Sequence, residues 1–293
     1  MTKEGVVMPF EYLEPLTIAE ATALLARHGD KARVISGGTD VIVKIGAKVM
    51  GAEYLVDITA IPGLDGISFS ADGGLTIGAL TTIRTLETSS ELGQRCPIIA
   101  QAAGQMASVA IRNVHTIGGN LCNAAPSADM APPLLALSAR VKITGPGGER
   151  VIPLEEFFTG PGITILKTGE LLTEIQLPSS LPNAKGVYLK HSIRGSVDLA
   201  IVGVAVVATV EPDSNICQDI KIALGAVSPI PMRATRAEGV LGEKIISAEL
   251  ISQSARVAAS EARPISDCRG SAEYRTEIVE VLTRRAITES VAR

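Results

Sequence analysis

The 293-residue sequence contains no tryptophan, and aromatic residues make up only 3% of it. Aliphatic side chains must therefore fill the core, and hydrophobic residues at 46% are sufficient for that. No apolar run approaches the roughly 20 residues of a membrane-spanning helix. The longest, Leu199 to Val210, reads as a buried strand. Lysine and arginine form no basic stripe and the formal net charge is −4. Nucleic acid and anionic membranes are thereby disfavoured as partners. Cys96, Cys122, Cys217 and Cys268 share no C-x-x-C or metal spacing, and His28, His115 and His191 form no H-E-x-x-H. Scattered thiols suit a reduced, cytoplasmic protein, and no metal site is expected. Met1 to Gly5 lacks the apolar stretch of a signal peptide.

Two glycine-centred polar segments stand out, about eighty residues apart. The first reads Val34-Ile35-Ser36-Gly37-Gly38-Thr39-Asp40, with Val41 following. The second runs from Thr116-Ile117-Gly118-Gly119-Asn120 through Pro126 and Ser127 to Asp129. Without a Cβ, adjacent glycines let backbone N–H groups approach a bulky anion such as a diphosphate. Taken alone, the first segment is also what a simple tight turn looks like. It is neither G-x-G-x-x-G nor a P-loop, since its glycines are adjacent and no Gly-Lys-Ser/Thr follows. The second reads as a long loop, a feature that tends to be functional.

Around these segments the chain reads as α+β. Thr17 and Glu20 make a capping box for a helix over 18–28. A strand over 32–36, a helix capped by Asp40 with Val41, Ile42, Ile45 and Val49 on its buried side, and a strand over 54–58 form a small parallel unit. Further on, a strand over 75–80, helices near 82–90 and 97–109, a hairpin around Gly145 to Gly148 and a strand over 170–177 are expected. Pro132-Pro133 suits the first turn of a helix. The polar break Ser179 to Asn183 marks a domain boundary. Three antiparallel strands and helices near 247–261 and 271–291 complete the chain.

These segments resemble the FAD-binding medium subunit of the molybdenum hydroxylases, the group related to xanthine dehydrogenase and the aerobic carbon monoxide dehydrogenases. Three more stretches share the resemblance: Tyr188-Leu189-Lys190 with Arg194 and Asp198, Ala223 to Val227 with Pro231 and Arg233, and Tyr274-Arg275 with Val281 to Ala286. The likeness runs from about Pro9 to Ala286. It implies a two-lobed FAD-binding domain of the vanillyl-alcohol-oxidase type over 1–178, with lobes 1–58 and 59–178. A C-terminal domain with a three-stranded antiparallel sheet would occupy 179–293.

The resemblance implies FAD between the lobes, its diphosphate held by backbone amides of Ile35 to Asp40 and Thr116 to Asn120. Gly37, Gly38, Gly118 and Gly119 would admit the phosphates, and Ser36, Thr39 and Asn120 would add side-chain hydrogen bonds. Val34, Val41, Leu172, Asp129 and Lys190 match cofactor-binding positions of the family. Four of the candidate residues have a plainer alternative. Asp40 would serve as a helix cap, Asp129 as a cap before Pro132, Leu172 as strand core and Lys190 as a surface lysine. Tyr188 would either control access to the flavin or fill the core. Cys122 reads as a small packing residue. The segment His191-Ser192-Ile193-Arg194 departs from the family, where an aromatic and paired arginines are common. No cysteine-rich insertion is present, so no iron–sulfur cluster is expected in this chain.

The implied role is electron transfer. Electrons would come from an iron–sulfur small subunit, itself served by a molybdopterin large subunit, and leave FAD for NAD, a quinone or oxygen. No catalytic residue is expected in the chain itself. The alternatives are a self-contained FAD oxidase of the same wider fold and a scaffold subunit that has lost FAD.

Overall fold

A computed structural model of the protein describes residues 10–179, 183–195 and 197–292. The signal-peptide reading at Met1 to Gly5, Pro9 at the start of the likeness, and the centre of the polar break at 180–182 lie outside the described residues.

The first lobe holds β1 (Glu11–Leu13), α1 (Ile18–His28), β2 (Ala32–Ile35), α2 (Val41–Gly46) and β3 (Tyr54–Asp57). Its three strands are parallel, in the order β1-β3-β2. Thr17 caps α1 by accepting from the Glu20 N–H, and the Glu20 carboxylate reaches back to the Leu16 N–H. Helix α2 departs from expectation. Ile45 is buried, but Ile42 and Val49 are exposed, because the helix is only six residues long and presents one turn to the sheet. Asp40 stands at its N-cap without making a capping bond.

The second lobe contains β4 (Ile67–Phe69), β5 (Leu75–Gly78), α3 (Ile83–Thr88), α4 (Ser90–Arg95), α5 (Pro97–Gly104), α6 (Val109–Arg112), α7 (Ile117–Cys122) and α8 (Ala131–Ala136). Then come β6 (Arg140–Gly145), β7 (Gly148–Pro153), the short pair β8 (Phe158–Gly160) and β9 (Ile163–Thr164), and β10 (Leu171–Leu177). The five-stranded antiparallel sheet runs β4-β5-β10-β6-β7. Central β10 is bulged between Leu172 and Glu174, a device that re-aims side chains beside a site. The helices expected near 82–90 and 97–109 are four shorter pieces, because Ser89, Cys96 and Ser108 interrupt them as caps.

The rest comprises β11 (Ala184–His191), β12 (Val202–Val210), β13 (Cys217–Gly225), β14 (Met232–Arg233), α9 (Thr235–Leu241), α10 (Ala248–Glu261) and α11 (Ala272–Val291). The sheet has four strands, not three, since Met232 and Arg233 add a short edge strand to β13. Strand β12 is buried from Val202 to Thr209, as its unbroken apolar run demands. One face of this sheet packs on α10 and α11. The other brings Tyr188, Ala205, Val207 and Ala223 into the core of the second lobe. No helix among the described residues is long and apolar enough to cross a membrane.

Candidate functional site

The two glycine segments meet. Ser36 Oγ lies 3.0 Å from Thr116 Oγ1, and Thr39 Oγ1 lies 2.8 Å from His115 Nδ1. Asn123 Nδ2 donates to the Asp40 carboxylate at 3.0 Å, and Lys44 Nζ donates to Asn123 Oδ1. Backbone contact is closer still. A Cβ on Gly37 would lie 1.9 Å from the Val114 carbonyl oxygen, and one on Gly118 would lie 2.6 Å from that of Ala79. Gly37 and Gly118 thus let the protein pack against itself, a use the expectation of phosphate access did not include. Gly38 has φ +69°, a left-handed conformation that favours glycine.

The first part of the second segment, Ile117–Cys122, is a helix, and only 123–130 remains turn and loop. Thr116 is its N-cap, and its hydroxyl accepts from the Gly119 N–H at 3.1 Å. The helix tolerates paired glycines because the Ala79 backbone leaves no room for a side chain at Gly118. Its first amides are already used. Ile117 N–H donates to the Thr81 carbonyl and Gly118 N–H to that of Ala79. The first segment is the reverse case. The N–H groups of Gly37, Gly38, Thr39, Asp40 and Val41 find no acceptor among the described residues. Five successive free amides make an anion-binding concavity. Thr116→Ala removes both the cap and the link to Ser36. It is expected to cost about 0.5–2 kcal/mol, read as a lower urea midpoint, with Thr116→Ser restoring most of it.

A cleft opens where the segments join. Of the candidate residues, Val34, the run Ser36 to Val41, Thr116, Gly118, Gly119 and Leu172 line it. Ile35 and Ile117 do not; both are buried in hydrophobic cores. Asn120, Asp129 and Lys190 also stay off the lining. The cleft further exposes Arg33, Lys44, His115 and Asn123, which sequence reasoning missed. Lys44 had a signal, since Asp40 and Lys44 are four residues apart on a helix. The Cys122 thiol faces the same wall, and burial pushes it up to about 12, so it stays protonated and unreactive.

Behind the wall, Asp129 is 6% exposed. Its Oδ1 accepts from the Tyr188 hydroxyl and its Oδ2 from Lys190 Nζ, both at 2.8 Å. Lys190 Nζ also donates to the Gln105 carbonyl at 3.2 Å. Burial pushes Asp129 up, and Lys190 and Tyr188 oppose that. Asp129 therefore caps no helix, Lys190 is not a surface lysine, and fully buried Tyr188 is core filling rather than a gate. Asp40, bonded to Asn123, leaves the helix amides uncapped for another acceptor.

Residues 8–180 match the family model described as the FAD binding domain in molybdopterin dehydrogenase. Residues 187–290 match that of the CO dehydrogenase flavoprotein C-terminal domain. The chain belongs to the molybdopterin dehydrogenase FAD-binding family. It is an FAD-binding flavoprotein subunit of a molybdenum-hydroxylase-type dehydrogenase. It is 32% identical over 282 residues to the xanthine dehydrogenase FAD-binding subunit of Escherichia coli O157:H7, covering 96% of each chain. It is 34% identical over 284 residues to the carbon monoxide dehydrogenase medium chain of Afipia carboxidovorans, covering 97% of each. The structure of reconstituted CO dehydrogenase from Oligotropha carboxidovorans aligns with a TM-score of 0.93 at 34% identity, over 98% of this chain and 99% of that one. The flavoprotein's own residues suit its cofactor. Free amides and two cations, Arg33 and Lys44, offer a diphosphate what it needs, and the apolar Val34, Leu80 and Leu172 offer flat surfaces to rings.

Proposed function

We propose that the cleft holds FAD by its diphosphate, and that the chain passes electrons from an iron–sulfur small subunit through FAD to an external acceptor. A molybdopterin large subunit completes the complex in this reading. The observation that carries the placement is the run of five amides from Gly37 to Val41 that have no acceptor among the described residues. Ser36 and Thr39 position hydroxyls beside it, and α7 holds it in place from Thr116 and His115. Asp129 and Lys190 support the wall from behind. FAD supplies the redox chemistry, accepting and releasing electrons one or two at a time. The protein binds and orients it. The role in a complex draws on the relatives' printed names, which call several of them medium chains or subunits.

Two measurements test this. The stripped chain titrated with FAD should bind one equivalent and turn yellow with a flavin spectrum. The loaded chain, mixed with a reduced iron–sulfur partner subunit, should show flavin bleaching, and NAD, a quinone or oxygen should restore the colour. A chain that takes up no FAD would defeat the placement. Substrate turnover by the chain alone would favour a self-contained oxidase.

A further inference from the structure

His115 lies at the contact between the two segments, in the wall of the cleft. Its Nδ1 is 2.8 Å from Thr39 Oγ1, and its Nε2 is 3.4 Å from Asn120 Nδ2. With Nε2 accepting from the amide, the ring proton sits on Nδ1 and is donated to Thr39. The Thr39 hydroxyl is then free to donate into the cleft, beside the open amides. Asn120 Oδ1 is buried and has no hydrogen-bond partner among the described residues. Turning the amide over lets that oxygen accept from a protonated Nε2.

We infer that His115 is the proton-linked member of the cofactor site, taking up a proton as the diphosphate enters. This rests on the placement of the diphosphate proposed above. The charges facing the ring come from every side. Asp40 and Lys44 lie on the α2 side and share Asn123. Asp129 lies beyond Asn120 and carries Lys190 and the Tyr188 hydroxyl from β11. Arg112 of α6 is committed to Glu87 of α3. Burial holds the empty-site imidazole below the ordinary histidine range, while Asp40 and Asp129 pull the other way. A diphosphate brings two negative charges to the same wall, which raises the affinity of the ring for a proton.

The sign follows. Burial holds the free ring below the ordinary histidine range, and the diphosphate moves the bound ring upward from there. Below the lower value affinity is flat. Between the two, affinity falls as pH rises, by up to about tenfold per pH unit for one proton. Above the upper value it is flat again. The diphosphate of FAD itself does not titrate between about pH 5.5 and 8. His28 and His191 lie outside the cleft, against Tyr54 and Tyr274.

Calorimetric titration of the FAD-stripped full chain near pH 6.5, in buffers of differing ionisation enthalpy, counts the protons. The wild type should take up a substantial fraction of one proton. His115→Gln, which keeps a hydrogen-bonding side chain, should take up none, and its dissociation constant should be flat from about pH 5.5 to 8. No uptake by the wild type, or equal uptake by His115→Gln, would overturn the inference. Gly37→Ala separates the two claims. If it leaves FAD affinity unchanged, the placement fails and the inference with it. If it weakens binding while His115→Gln retains proton uptake, only the inference fails.

Discussion

Gly37→Ala is expected to cost the protein its flavin. The new methyl carbon would stand 1.9 Å from the Val114 carbonyl oxygen and 2.7 Å from its carbon. Both are backbone atoms held by α6 and α7, so neither can rotate aside. Relief requires the first segment to move away from 114–116. That movement breaks the Ser36–Thr116 and Thr39–His115 contacts and disperses the free amides. Overpacking of this kind costs about 1–3 kcal/mol and occasionally more. If that strain falls on the cofactor-binding conformation, FAD affinity drops by about tenfold to a hundredfold, at 1.4 kcal/mol per decade. Gly38→Ala is the control. Its Cβ would meet only the Ile42 and Ile35 side chains, at 3.4 and 3.5 Å, so it bears chiefly the left-handed backbone cost of about 1–2 kcal/mol. The flavin-to-protein ratio after purification and a fluorescence titration with FAD measure both. Wild-type binding by Gly37→Ala would overturn the placement of the diphosphate against this segment.

Asp129→Ala should give the largest loss of stability, about 3–5 kcal/mol. The Lys190 and Asp129 side chains are only 5% and 8% exposed. Removing the carboxylate leaves the ammonium sealed from water with only the Gln105 carbonyl, and leaves the Tyr188 hydroxyl without its acceptor. An unpaired buried charge costs far more than the pair itself contributes, which predicts a particular pattern. Asp129→Asn should lose less, because it keeps an acceptor for Tyr188. Asp129→Ala combined with Lys190→Met should recover much of the loss, because the stranded charge is gone. Urea midpoints for the four proteins test this. A loss below about 1 kcal/mol in Asp129→Ala would mean that Lys190 reaches water when its partner is removed.

Much of this architecture was legible in advance. The apolar run from Leu199 pointed to a buried strand, which occupies Val202–Val210, and Thr17 with Glu20 marked the start of a helix. Other features were out of reach. A two-residue strand at Met232 carries no periodicity to detect. The apolar spacing of α2 predicts burial that its neighbours do not supply. Asp129 looked like either a ligand or a cap, and nothing local says that Tyr188 and Lys190 arrive at it from about sixty residues away.

The glycine segments divide the same way. Their residue types alone called for close backbone approach and, through the family resemblance, for FAD. Which segment keeps its amides free was decided only by the tertiary structure. An N–H is available to a ligand only if no carbonyl has reached it first. The carbonyls that take up Ile117 and Gly118 belong to Thr81 and Ala79, almost forty residues earlier in the chain. Among the described residues, none reaches Gly37 to Val41. Hydrogen-bond supply is settled by distance in space, and the order of residues records it only where the partners are also neighbours in the chain.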